Sequence, residues 1–288
     1  MARRGQTNAR TQGHHQPYWE LIRRIITESD IVLEILDSRL IELSRNEQVE
    51  ELIEEIGRPV IYVINKSDLV SKEHINKYLA KLEKRENVVF VTTKNMKTVR
   101  ILLYAIKKLF KKHGKREKEV RGKYDPKPKY REAIGNIVVG VLGYPNVGKS
   151  SIINALSYKK KVKVSKKSGT THGIHWVHAT DEIKLIDSPG VIPLKHGDDV
   201  RYGLIGAKDT EALKDPEMVA SAIINLFLQK DKDILNKFYK IEIESDDVDE
   251  VIKKIGDKKA YLLKGGILDE HRVMTQIVRD WQQGNLRF

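Results

Sequence analysis

The octapeptide Gly143-Tyr144-Pro145-Asn146-Val147-Gly148-Lys149-Ser150 follows the apolar run Ile137-Val138-Val139-Gly140-Val141-Leu142 and leads into a helix-forming stretch. Gly-x4-Gly-Lys-Ser between a buried strand and a helix predicts a phosphate-binding loop at the carboxyl edge of a mostly parallel sheet. Gly143 and Gly148 let the backbone curl, so that successive N–H groups from Asn146, Val147, Gly148, Lys149, Ser150 and Ser151 face a phosphate. The start of the helix adds a partial positive charge. Lys149 would bridge the β- and γ-phosphates, and Ser150 offers a hydroxyl to Mg²⁺.

Three further motifs extend the site. Asp187-Ser188-Pro189-Gly190 ends the second strand after the loop. There Asp187 would hold Mg²⁺ through water, and the Gly190 N–H would meet the γ-phosphate. Between them, Ser168-Gly169-Thr170-Thr171 offers a hydroxyl for the remaining Mg²⁺ position, with Thr171 the choice and Thr170 close behind. Asn65-Lys66-Ser67-Asp68 follows the apolar run Val60–Ile64. The Asp68 carboxylate matches the N1–H and 2-amino donors of guanine. Adenine presents neither there and would leave a buried carboxylate unpaired, at ~1–3 kcal/mol or more. Lys66 would lie over the base, and Asn65 would tie this loop to the phosphate loop. Thr92-Thr93-Lys94, again at a strand end, would supply a backbone N–H to guanine O6. A P-loop ATPase or nucleotide kinase is disfavoured by Asn65–Asp68.

Short apolar strands alternate with helical patterns up to about residue 187. Strands are expected at Ile31–Leu36, Val60–Ile64, Val88–Val91, Ile137–Leu142, His175–Ala179 and Ile183–Ile186, with helices at 17–28, 47–56, 72–85 and 98–112. The expectation is an α/β fold with a mostly parallel sheet and helices on both faces. After about residue 195 only helices are expected, at 217–229, 248–255 and 269–283. The chain is therefore divided into a basic tail (1–16), a nucleotide domain (17–195, with a charged linker at 113–132) and a small α-helical C-terminal domain (196–288).

The net charge is +13, and from Lys107 to Arg131 twelve Lys or Arg face three acidic residues. Such clustering favours a polyanionic partner, nucleic acid before membrane. Arg272, Arg279 and Arg287 are candidate phosphate contacts. Phe288 is a candidate base-stacker, and Trp281 is assigned to the core by its spacing with Val273 and Ile277. Without cysteine there is no disulfide or Cys-ligated metal. With no apolar run of membrane-spanning length, a cytoplasmic protein without membrane contact is the expectation.

The guanine motif precedes the phosphate loop, the reverse of the ordinary order. Together with Gly13-His14, Asp37-Ser38-Arg39 and Gly265-Gly266, these residues resemble a circularly permuted ribosome-assembly GTPase of the YlqF/YawG type. The resemblance implies a Ras-like P-loop GTPase fold and hydrolysis of GTP to GDP. It also implies a helical domain that binds rRNA in large-subunit assembly. A protein monomeric when free is expected. Thr92-Thr93-Lys94 replaces the family's more frequent Ser-Ala, and Ser168 replaces a usual Pro. Val191 and Ile192 stand where many Ras-like enzymes place a water-orienting Gln. His14, matching the family's Gly-His, is then the candidate catalytic group beside Lys149 and Thr171; a solvated tail residue is the other reading. Asn146 occupies the position at which related GTPases hold K⁺, and a loop-stabilising role is equally open. The permutation also suggests that residues just before Ile31 lie near the γ-phosphate, and that the 187–196 loop feeds directly into the helical domain. A GTP-gated RNA-binding module with negligible turnover is the alternative function.

Overall fold

The computed structural model describes residues 16–81, 87–113, 137–157, 175–188 and 198–288. Six strands form one sheet: β1 (Ile31–Asp37), β2 (Val60–Asn65), β3 (Val88–Phe90), β4 (Ile137–Leu142), β5 (His175–His178) and β6 (Ile183–Asp187). Their order is β3-β2-β1-β4-β6-β5, parallel throughout except for the β5–β6 pair. Every residue of β1 and β4 is buried, which is why neither alternates: β4 has no polar residue, and β1 is apolar apart from Glu34 and the closing Asp37.

Helices cover both faces. α1 (Gln16–Glu28) and α3 (Glu47–Ile56) pack together on one face, with the four-residue α2 (Ile41–Ser44) between β1 and α3. α5 (Met96–His113) and α6 (Lys149–Leu156) pack together on the other, and α4 (Lys72–Lys81) joins β2 to β3. Asn46 caps α3, its side chain accepting from the Val49 N–H at 3.0 Å.

The parallel pairing overturns one expectation. Asp30 N–H donates to the Val138 carbonyl, at the start of β4 and five residues short of the phosphate loop. At ~3.3 Å per residue that is about 16 Å from Gly143. The residues just before Ile31 therefore lie at the opposite edge of the sheet. α1 runs back the other way. Its C-terminal half meets the end of α3 that leads into β2, through Arg23–Glu55 and an Arg58 bond to the Thr27 carbonyl. Thirteen residues of helix span ~20 Å, so it is the start of α1, at Gln16, that returns toward the phosphate-loop edge.

The C-terminal part is helical: α7 (Asp199–Leu204), α8 (Pro216–Lys230), α9 (Asp233–Tyr239), α10 (Val248–Lys259) and α11 (Glu270–Gln282). It has its own core around Phe227, Tyr239, Val273 and Trp281. α7 serves both cores, Tyr202 facing the sheet domain and Leu204 the helical one. Trp281 is fully buried and donates from Nε1 to the Leu204 carbonyl at 2.6 Å. Phe288 is not presented for base stacking. Its ring packs on Phe227 and Trp281, with centroids at 4.7 and 5.5 Å, and stacks on His74 of α4.

One core residue gives a pH-sensitive term. Glu34, in the middle of β1, is fully buried. Its Oε1 accepts from the Asn46 N–H, and its Oε2 has no partner among the described residues. Burial, with nearby Glu50, pushes its carboxyl up to about 8. The folded state therefore binds a proton that the unfolded chain has released between its ordinary carboxylate value of 4.5 and about 8, and stability falls as pH rises through that window. Glu34→Gln should abolish that fall between about pH 6 and pH 8, worth on the order of a few kcal/mol, in urea titrations at pH 5 to 9; below about pH 6 the raised carboxyl of Asp187 keeps a fall of its own. An unchanged slope would place the pH dependence elsewhere.

Candidate functional site

Because β1, β2, β3, β4 and β6 all run the same way, their carboxyl ends share one edge. That edge carries Asp37, Asn65, Thr92, Gly143 and Asp187. Motifs far apart in sequence thus converge, and one hydrogen bond records it: Asn65 Nδ2 donates to the Val147 carbonyl at 2.8 Å. This is the tie between the two loops expected of Asn65 in its motif. Gly148 sits against it at φ +102°, where an added Cβ would lie 2.2 Å from Asn65 Nδ2, so no larger residue fits. α6 begins at Lys149 with no side chain capping its first N–H groups, which leaves them for an anion.

Lys149 is buried and donates to the loop's own carbonyls, Gly143 O at 2.8 Å and Tyr144 O at 2.7 Å. Burial pulls its ammonium down to about 8, against the pull of Asp187. The Asp187 carboxyl is pushed up to about 6 by burial, opposed by Lys149 and His175, and its Oδ2 is buried with no hydrogen-bond partner among the described residues. A buried cation folded onto carbonyls, beside a carboxylate oxygen with nothing to accept, fits a site for phosphate and a divalent metal. Ser150 on α6 and Asp187 would hold the Mg²⁺. His14, Thr171 and Gly190 lie outside the described residues.

On the base side, Asp68 Oδ1 accepts from Thr92 Oγ1 at 2.7 Å and Oδ2 from Lys94 Nζ at 2.6 Å. Burial works against its charge, but the bonds from Lys94 and Thr92 outweigh it and hold the carboxyl below its ordinary value. The partners of the Thr92-Thr93-Lys94 turn narrow its role. The Thr92 N–H is spent on Thr98 Oγ1 and the Lys94 N–H on Thr92 Oγ1. That leaves the Thr93 N–H as the donor for a base carbonyl. Lys66, in left-handed conformation at φ 59°, donates from Nζ to Asp37 Oδ2 at 2.8 Å. Its contact over a base would thus compete with a carboxylate. Asn146 reaches out of its own loop: Nδ2 donates to Gly206 O and Asp209 Oδ1, both at 2.9 Å, joining the phosphate loop to the helical domain.

Sequence reasoning missed the role of Asp37 and Arg39. Arg39 is buried and grips both Asp37 oxygens, at 3.0 and 2.8 Å. It also donates to the Trp281 carbonyl and lies 4.2 Å over the indole ring. An Asp closing a buried strand with an Arg two residues on was the available signal. A cleft of about 800 Å³ opens beside Asn65, Asp68 and Thr93. Another of about 790 Å³ lies between α3 and the end of α5, but Glu47, Glu50, Glu51 and Glu54 line it and would repel a phosphate.

The model of the 50S ribosome-binding GTPase family matches residues 138–263. A GTP-binding protein of Methanocaldococcus jannaschii is 38% identical over 272 residues, covering 94% of this chain and 66% of that protein. Ribosome biogenesis GTPase A of Priestia megaterium is 28% identical, covering 90% of this chain and 88% of that one. The chain spans about half the length of several other curated relatives. The GNP-bound structure of YlqF from T. maritima superimposes with a TM-score of 0.59 at 19% identity, covering 96% of this chain and 95% of that one. That likeness reports the fold.

Proposed function

Since the chain belongs to the circularly permuted GTPases of the YlqF/YawG type, we propose that it hydrolyses GTP to GDP and phosphate as a switch in large ribosomal subunit assembly. The observation that carries this reading is the Asn65–Val147 bond, which closes a base-reading loop and a phosphate loop into one site. Asp68 selects guanine. Lys149 leaves the Gly143 and Tyr144 carbonyls for phosphate oxygens, whose negative charge favours its ammonium form. A bound Mg²⁺ would neutralise charge developing on the transferred phosphate. Ser150, Asp187 and Thr171 are its proposed ligands.

His14 is the proposed group that orients water, because Val191 and Ile192 have no polar side chain. Asn146 Oδ1 is the proposed K⁺ ligand, its nitrogen being held by the helical domain. Binding of rRNA is assigned to the basic tail, the Lys107–Arg131 stretch and the helical domain. There Arg272 is held over Tyr261, and the exposed Arg279 pairs with Glu211. The expected partner is a cytoplasmic large-subunit precursor.

GTP turnover measured with and without large subunits, in KCl and in NaCl, tests the scheme. Subunits should accelerate wild-type hydrolysis by ~10²-fold or more, an effect of the size seen for positioned catalytic groups. His14→Ala should lose most of it, and NaCl should lower it. Turnover indifferent to subunits would favour a GTP-gated binding module. Wild-type rates for His14→Ala would remove His14 from catalysis.

A further inference from the structure

The cleft beside Asp68 has two walls, and they belong to different domains. One is the guanine-reading loop. The other is made by Phe238 of α9 with Gln283, Asn285 and Arg287 of the segment after α11. We propose that Phe238 and Arg287 complete the nucleotide site, so that the helical domain holds the nucleoside end of the bound guanine nucleotide. The inference rests on the guanine-nucleotide reading of that cleft.

The wall is rigidly built. Gly284 reverses the chain at φ +74° and packs so closely on Leu69, the residue after Asp68, that an added Cβ would lie 2.9 Å from Leu69 Cδ1. The buried Asp280 anchors both parts. Its carbonyl accepts from the Asn285 and Leu286 N–H groups, and its Oδ2 accepts from the Tyr239 hydroxyl at 3.2 Å. Leu286 and Tyr239 are buried, which holds their neighbours Arg287 and Phe238 at the cleft.

Both neighbours are suited to a nucleoside. Phe238 is 37% exposed, an aromatic face at the mouth of an otherwise polar cleft. The Arg287 side chain is exposed and has no ion pair or hydrogen bond among the described residues. Once Asp68 has taken the N1–H and one 2-amino hydrogen of guanine, the O6–N7 edge of the base presents only acceptors, with the phosphates beyond. A guanidinium complements both, and an aromatic ring stacks on a base or covers a ribose. A nucleotide held from both sides leaves only when the helical domain gives way.

Dissociation of fluorescent mant-GDP and mant-GTP from the full chain, chased with unlabelled nucleotide, tests this. Phe238→Ala and Arg287→Ala should each release nucleotide roughly tenfold faster, the equivalent of about 1.4 kcal/mol. Met218→Ala, at an exposed position on α8 away from the cleft, should release at the wild-type rate. Because Phe238 and Arg287 are exposed, thermal midpoints should stay unchanged. If both variants release at the wild-type rate while Asp68→Asn loses affinity, the second wall is overturned and the guanine reading stands. If the wild-type chain binds neither mant nucleotide, that reading falls and takes the inference with it.

Discussion

Asp68→Asn is expected to weaken GTP binding by at least ~100-fold and to create binding of xanthosine triphosphate, an effect set by hydrogen-bond polarity. In the wild type a charged carboxylate faces two donors of guanine. An Asn offers one acceptor and one donor, so its amide N–H₂ would point at the 2-amino group and neither would be satisfied. Losing one charge-assisted bond and burying an unpaired donor costs about 3–5 kcal/mol, or roughly a hundredfold to a few thousandfold in Kd. Xanthine carries a carbonyl in place of that amine. The Asn nitrogen then donates to it while the oxygen still accepts from N1–H.

The fold should tolerate the change. Thr92 Oγ1 keeps an acceptor, and the ion pair that is lost involves Lys94, whose side chain is 73% exposed. Such pairs are worth at most ~1 kcal/mol. Calorimetric titration with GTP and with xanthosine triphosphate checks both halves. Equal GTP affinity in wild type and variant would mean that Asp68 does not read the base.

The site was legible because its motifs are statements about backbone. Gly148 must adopt a positive φ against Asn65, and a strand must deliver each loop to the same edge. The central strands β1, β2, β4 and β6 were legible because a parallel strand buried on both faces is mostly Ile, Val and Leu. Helices of four, six and seven residues, at Ile41–Ser44, Asp199–Leu204 and Asp233–Tyr239, are too short to show a period and were not expected. The residues before Ile31 are placed by strand direction, at the amino edge of the sheet, and not by the open join of the permutation. The remaining misses are contacts between domains. Asn146 meets Gly206 and Asp209, and Arg39 meets Trp281, through contacts that no local pattern encodes.

Replacing Arg39 should expose how much that last contact matters. Its guanidinium is the main charge opposing burial of Asp37, with Lys66 second, and the two hold the Asp37 carboxyl far below the usual carboxylate range. Burial alone would push it the other way. A carboxyl depressed in the folded state contributes stability that is present above its ordinary value of 3.8 and lost on acidification. Arg39→Met removes the larger counter-charge, leaves the Trp281 carbonyl without this donor, and takes the cation from the indole face. Breaking a buried pair from one side costs about 3–5 kcal/mol.

Asp37→Asn/Arg39→Met should recover part of that loss, since the uncompensated carboxylate is gone, although Lys66 also forfeits its ion pair. The two losses separate by location. Charge burial is felt within the sheet domain, whereas the Trp281 contacts act on docking of the helical domain. Urea unfolding followed by Trp fluorescence, alongside hydrogen exchange of α11 and of β1, distinguishes them. Arg39→Met should speed exchange in α11 more than in β1. A stability loss below ~1 kcal/mol would fit a weak surface pair and would show that Arg39 is not the joint between the guanine loop and the helical domain.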